Sequence, residues 1–173
     1  MSVGRILLAP VIVVLILADA RPAAYLAAAL FVVAAATDGL DGYLARRYES
    51  TTRLGQWLDP LADKVLVAAP ILTLTAVRRF PLWAALVIVA REFAVSLLRA
   101  WLGARGRAMP ASWWAKWKTA AQMAVIVLYL LPVFDAAARG FRFGVLVAAV
   151  ALTVWSGLDY LIKAGRPAPA EAG

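Results

Sequence analysis

Asp38-Gly39-Leu40-Asp41-Gly42-Tyr43-Leu44-Ala45-Arg46, followed after eight residues by Gly55-Gln56-Trp57-Leu58-Asp59-Pro60-Leu61-Ala62-Asp63-Lys64, decides how this chain folds. It sets four carboxylates inside segments that otherwise read as membrane-spanning helix. Each ionised side chain at the bilayer centre opposes insertion by at least about 2.5–3.5 kcal/mol, so four acids need compensation. Helical spacing concentrates them. Asp38, Asp41, Gly42 and Ala45 fall at i, i+3, i+4 and i+7 on one stripe of a helix, and Gly55, Asp59 and Asp63 at i, i+4 and i+8 on a stripe of the next. Two such stripes facing each other bring four carboxylates to one volume, where a divalent cation neutralises them and takes them as ligands. Gly39, Gly42 and Gly55 leave room for a close backbone or a ligand. Arg46, one turn past Gly42, points toward the same mouth and can neutralise a phosphate. A pair of metal ions on such carboxylates serves displacement at phosphorus. The competing reading pairs the same acids with Arg46, Lys64, Arg91 and Arg99 as buried ion pairs.

Composition agrees with a membrane setting. Of 173 residues, 64% are hydrophobic, against about 45–50% in soluble domains, and the mean hydropathy is +0.81. The expected class is an all-α integral membrane protein. A net charge of +8 then reflects topology and contact with anionic headgroups; no soluble basic domain is left over to bind nucleic acid. The chain contains no cysteine and no histidine. Thiolate chemistry and His-based catalysis are thereby excluded, and any metal site must be built of oxygen, which favours Mg²⁺, Mn²⁺ or Ca²⁺.

Apolar runs cover Arg5–Ala18, Pro22–Tyr48, Gly55–Val77, Leu82–Leu102, Trp114–Phe134 and Phe143–Lys163, and most have the roughly 20 residues a bilayer crossing needs. The first resembles a signal peptide, with Arg5 ahead of it and Ala18-Asp19-Ala20 behind, but Pro22 crowds a cleavage point and the run reads as the first helix. The expected organisation is one six-helix membrane unit over residues 1–163 with a flexible tail over 164–173. Six spans put both termini on one side. Arg5, Arg46, Arg47, Arg53, Arg105, Arg107, Lys116, Lys118, Lys163 and Arg166 fall on that side, and Arg21, Arg78, Arg79, Arg139 and Arg142 on the other. The excess makes the first side cytoplasmic and places a polar, metal-binding cavity near the cytoplasmic face. Trp83, Trp101, Trp113, Trp114 and Trp117 stand near helix ends as interfacial residues.

Asp38-x-x-Asp41-Gly42-x-x-Ala45-Arg46, eight residues, Gly55-x-x-x-Asp59-x-x-x-Asp63 resembles, position for position, the signature of the CDP-alcohol phosphotransferase family. Leu58–Lys64, Ala90–Ser96, Ala111–Trp113, Lys116–Met123 and Ser156–Leu161 look like the bacterial members that make phosphatidylglycerophosphate. The resemblance runs from Arg5 onward. Family members usually carry an Asn-x-x-Thr-x-x-Arg-like segment before the first helix, of which only Arg5 stands here.

The resemblance implies a homodimer in the bacterial cytoplasmic membrane. Its reaction would be divalent-metal-dependent displacement of CMP from CDP-diacylglycerol by an alcohol, with glycerol 3-phosphate as acceptor. Asp38, Asp41, Asp59 and Asp63 would hold two Mg²⁺ or Mn²⁺ ions, Asp63 would also be the general base, and Gly42, Ala45, Arg46, Thr52 and Gly55 would line the cytidine-diphosphate pocket. The acceptor's phosphate needs cations, and Arg91, Lys116 and Lys118 are the candidates. Lys116 and Lys118 can equally snorkel to headgroups, and Glu92 can orient Arg91 or Lys64. Arg99, Arg105 and Arg107 read as topology or lipid contacts. Phosphatidylglycerol or an inositol phosphate are alternative acceptors within the same chemistry. Outside it stands a cation transporter, disfavoured because the acids cluster in one layer.

Overall fold

The computed structural model describes the backbone of residues 2–48, 53–105, 113–132 and 136–165, and side chains at residues 4, 6–37, 64–105, 114, 116–132 and 138–165. Six helices follow in order: α1 Ser2–Leu17, α2 Arg21–Tyr48, α3 Arg53–Ala76, α4 Leu82–Ala104, α5 Trp113–Leu130 and α6 Ala136–Gly165. No strand occurs among the described residues.

Three boundaries differ from the apolar runs by three residues or more. Helix α1 begins three residues earlier, at Ser2. Helix α5 stops at Leu130 rather than Phe134, because Pro132 pushes the residue before it out of the α region. Helix α6 begins at Ala136, seven residues before Phe143. The run Ala136-Ala137-Ala138 favours helix strongly and outweighs Gly140, so Arg139 and Arg142 ride on the opening turns of α6 rather than in a loop. The helix also ends two residues beyond the expected limit of the membrane unit.

Helix α1 packs on α2 and α3, α3 on α4 and α5, and α5 on α2 and α6, while α6 also lies against α4. The core they share includes Ile12, Phe31, Ile71, Leu74, Ile88, Ile126 and Leu146. Alanines 27, 28 and 34 on α2, 84 and 85 on α4 and 149 on α6 are buried among them, small side chains that let helices approach closely. The outward faces are apolar as well: Leu7, Val14, Leu97, Phe141, Leu158 and Ile162 are each more than 45% exposed. Helices apolar on both faces belong in lipid. Among the described residues, one helix stretch, Ala138–Gly165, is long and apolar enough to cross a membrane by length and composition. Ile6–Leu17, Arg21–Thr37 and Lys64–Ala76 are shorter apolar stretches.

The α1–α2 and α3–α4 connections meet the end of α5 and the opening turns of α6 at one end of the bundle. Arg79 donates a hydrogen bond to Asp19. Phe80 packs on Tyr129 with ring centroids 4.7 Å apart, and the Arg142 guanidinium lies 4.3 Å from the centroid of the Tyr129 ring. The α3–α4 turn is a Schellman motif. The amide of Arg78 donates to the Thr75 carbonyl at 3.0 Å, and that of Arg79 to the Leu74 carbonyl at 2.8 Å. This geometry needs a left-handed residue after the helix, which here is Arg78 at φ 57°, where glycine is usual. The left-handed conformation costs a non-glycine residue roughly 1–2 kcal/mol. Arg78→Gly should therefore raise the unfolding midpoint in detergent by about 2–4 °C. An Arg78→Lys control should not move it, and a fall on Arg78→Gly would contradict the strain.

Candidate active site

Two sets of residues are candidates for a site: the aspartates of α2 and α3, and a buried polar cluster where α4, α5 and α6 meet. Helix α2 runs unbroken through Asp38 and Asp41 to Tyr48, and α3 runs from Arg53 through Asp59 and Asp63. The helical backbone thus keeps each pair on one face of its own helix. Side chains of Asp38, Asp41, Gly42, Ala45, Arg46, Gly55, Asp59 and Asp63 lie outside the described residues, as do Thr52 and Arg107 entirely. Among the described residues no group of three acids could hold a metal. The aspartates suit a hard divalent cation by donor chemistry, since a chain without histidine or cysteine offers oxygen ligands.

The bundle end marked by Asp19–Arg79 and Phe80–Tyr129 gives a common origin for depth. At 1.5 Å per residue, Arg91 lies roughly 14 Å along α4 from Leu82, Lys118 about 18 Å along α5 from Leu130, and Asp63 about 20 Å along α3 from Ala76. The cluster therefore sits closer to the capped end than the aspartates, with Asp63 the nearest of the four to its level. Uncharged stretches 22–37 and 65–77 separate the aspartates from that end. They span roughly 24 Å and 20 Å, short of the roughly 30 Å hydrocarbon core.

Glu92 organises the cluster. Its Oε1 accepts from Arg91 Nη1 at 3.2 Å, from Lys118 Nζ and from Gln122 Nε2 at 3.5 Å. Arg91 Nη2 donates to Ser156 Oγ at 2.8 Å, and Gln122 Nε2 to Thr153 Oγ1 at 3.0 Å. Lys118 and Gln122 are 4% and 2% exposed, and Thr153 and Ser156 are fully buried. Two cations share one carboxylate, so the cluster carries a formal charge of +1. Arg91 Nε is buried with no hydrogen-bond partner among the described residues. Gly157 stands beside it, where a Cβ would come within 3.7 Å of Nε and 3.4 Å of Arg91 Cγ. Tyr160 presents its ring to Arg91 and Arg99, at 5.8 Å and 5.9 Å.

Of the three candidate phosphate cations, the structure brings Arg91 and Lys118 together and leaves Lys116 exposed on the other side of α5. Glu92 engages Arg91 and Lys118. Arg105 stacks 3.6 Å from the Trp101 ring centroid. Trp83, Trp101, Trp114 and Trp117 are 42–52% exposed, as lipid-facing residues are. Gln122, Thr153 and Ser156 had no role in the sequence reading. Their signal was polar residues at helical spacing inside apolar helices, with Lys118 and Gln122 at i, i+4 and Thr153, Ser156 and Tyr160 at i, i+3 and i+7.

A family model described as CDP-alcohol phosphatidyltransferase matches residues 1–155. The chain is 42% identical over 169 residues to the CDP-diacylglycerol–glycerol-3-phosphate 3-phosphatidyltransferase of Pseudomonas fluorescens, an overlap of 92% of this chain and 85% of that protein. It is 38% identical over 177 residues to the enzyme of the same name from Bacillus subtilis, over 94% of this chain and 91% of that one. The Haemophilus influenzae enzyme of that name is 36% identical over 167 residues, 93% and 89% of the two chains.

Removing the shared carboxylate leaves two buried cations facing each other. Glu92→Gln should lower stability by about 3 kcal/mol, measured by chemical denaturation in micelles. Adding Lys118→Met to it should recover most of the loss, since the repulsion goes with the lysine. Purely additive losses would mean that the two side chains are not coupled.

Proposed function

The chain belongs to the CDP-alcohol phosphatidyltransferase family, and we propose that it transfers the phosphatidyl group of CDP-diacylglycerol to sn-glycerol 3-phosphate, giving phosphatidylglycerophosphate and CMP in phospholipid biosynthesis. The observation that carries the choice of acceptor is the Arg91–Glu92–Lys118 cluster. A net-positive group of donors in an apolar bundle suits an acceptor that brings its own phosphate. Arg91 offers a planar fork for phosphate oxygens and Lys118 a compact charge beside it.

In this reading Gly42, Ala45, Arg46, Thr52 and Gly55 line the cytidine-diphosphate pocket, and Asp38, Asp41, Asp59 and Asp63 hold two Mg²⁺ or Mn²⁺ ions. What bound ions supply there is neutralisation of the diphosphate and of the charge gathering on the departing CMP. Arg91 and Lys118 hold the acceptor by its phosphate, and its free hydroxyl turns toward the lipid diphosphate. Asp63 takes the hydroxyl proton as the oxygen attacks the phosphatidyl phosphorus. The bond from that phosphorus to the bridging oxygen breaks, and CMP leaves with the electron pair. Positioning and charge neutralisation then account for most of the rate.

The protein works as a homodimer in the bacterial cytoplasmic membrane, its six helices spanning it as one unit over residues 1–163. Both termini and the aspartate ends of α2 and α3 face the cytoplasm. The short uncharged stretches of α2 and α3 support this reading, because a carboxylate following them would lie past the middle of the hydrocarbon, toward its inner face. Glycerol 3-phosphate then reaches them from water and CDP-diacylglycerol from the leaflet.

Purified protein in micelles should release CMP from CDP-diacylglycerol only when glycerol 3-phosphate is present. Release should stop on chelation and return with Mg²⁺ or Mn²⁺. Dependence on phosphatidylglycerol or inositol phosphate instead would overturn the acceptor, and no release with any acceptor would return the chain to the transporter reading. Asp63→Asn should lower kcat by at least about 10²-fold. Asp38→Asn and Asp59→Asn should leave a folded protein with little turnover, and wild-type rates at saturating metal would remove those ligands from the assignment.

A further inference from the structure

Five residues from three helices close a ring of hydrogen bonds around Thr153. Ser156 Oγ donates to the Thr153 carbonyl at 3.0 Å, and Thr153 Oγ1 donates to the Ala149 carbonyl at 2.7 Å. Each hydroxyl has one proton, and both protons are spent on the backbone of α6. The two oxygens can therefore only accept from outside. Ser156 accepts from Arg91 at 2.8 Å, and Thr153 from Gln122 at 3.0 Å. This fixes the Gln122 amide with its NH₂ toward α6, and the same NH₂ reaches Glu92 Oε1 at 3.5 Å. Arg91 Nη1 completes the circuit at Glu92 Oε1. Lys118 hangs on the same oxygen from outside the ring.

Such a ring does more than satisfy polar groups. Arg91 has four single bonds about which to swing, yet its two terminal nitrogens are tied to different helices, Nη1 to Glu92 of α4 and Nη2 to Ser156 of α6. The fork is held in one plane, and the distance from Arg91 to Lys118 is set by the oxygen they share. The same ties leave Nε, the buried side-chain donor without a partner among the described residues, beside the bare backbone of Gly157.

We infer that Ser156 and Gln122 are positioning residues for the acceptor: through the Thr153 ring they hold the Arg91 and Lys118 cations at the spacing that receives its phosphate. The inference rests on the acceptor site proposed above. Neither residue touches the reacting atoms; both act by pre-organising cations that would otherwise have to be ordered when the substrate arrives.

The test is steady-state kinetics of CMP release with each substrate varied in turn. Ser156→Ala and Gln122→Met should each raise KM for glycerol 3-phosphate about tenfold, with kcat and KM for CDP-diacylglycerol within about twofold of wild type. Ser156→Thr keeps the accepting oxygen and should return KM to near wild type. If Ser156→Ala does not fold, Gln122→Met carries the same test from α5. Equal changes in KM for both substrates, or a lowered unfolding temperature with both KM values unmoved, would reduce the ring to a structural role and overturn the inference. Arg91→Lys separates the two layers of the argument. If it leaves KM for glycerol 3-phosphate unchanged, the acceptor site itself is misplaced and the positioning role falls with it. If Arg91→Lys raises that KM while Ser156→Ala does not, the acceptor site stands and the positioning role alone is overturned.

Discussion

A single carboxylate oxygen, Glu92 Oε1, receives donors from three side chains on two helices, and much of the interior is arranged around it. Glu92 carries one negative charge against two positive ones, so its surroundings are left with a surplus that the bundle must stabilise. Ser156 does so from α6 with its hydroxyl oxygen and Tyr160 with a ring face, while Thr153 holds the Gln122 amide that bonds Glu92. An apolar side chain in place of Ser156 would leave a charged donor facing hydrocarbon, and one in place of Thr153 would strand the Gln122 amide. This constraint ties α4, α5 and α6 to one register.

The remaining packing cannot set that register alone. Lipid and protein interior are both apolar, so burying a leucine in a membrane bundle yields little discrimination between one helix rotation and the next. Helix α1 packs on α2 and α3 through alanines and branched aliphatic residues, which give close contact with few directional demands. Polar groups are the directional element. Among the described residues they join helices at the α4–α6 cluster and at the end cap of Asp19, Arg79, Phe80, Tyr129 and Arg142.

The helices were legible because the apolar runs are long and the charged breaks between them short. The start of α6 was not, since Arg139, Gly140 and Arg142 looked like loop composition while the three alanines before them supplied the stronger local preference. Within the site, Arg91 and Glu92 stood out as charges in an apolar helix. The choice between Lys116 and Lys118 did not, because two lysines two residues apart are equivalent in composition. They differ by about 200° around the helix axis, and only the position of α4 decides which one is inside. Gln122, one turn beyond Lys118, held that information. Thr153 and Ser156 were harder to see, because small hydroxyl residues in a membrane helix commonly bond their own backbone; here they do so and accept from a neighbour as well. For the aspartates, spacing along each helix was legible and is matched by continuous α2 and α3, whereas the meeting of the two stripes is a tertiary relation that spacing cannot supply.

The cap formed by Asp19, Arg79, Phe80, Tyr129 and Arg142 has a consequence for the cell as well as for the fold. A bacterial cytoplasmic membrane stores energy as a voltage and a proton gradient, and a cleft lined with carboxylates is the kind of structure through which protons and cations leak. On the function proposed above, the protein must admit water, metal and a phosphorylated alcohol from the cytoplasm without completing a path to the other side. The aromatic and ion-pair contacts of Asp19, Arg79, Phe80, Tyr129 and Arg142 close the bundle at the opposite end. Beneath them Ile71, Leu74, Ile88 and Ile126 fill the interior with uncharged aliphatic side chains. On that proposal the aspartate end would be blind, and the membrane would keep its insulation across a protein that does hydrophilic chemistry at one face.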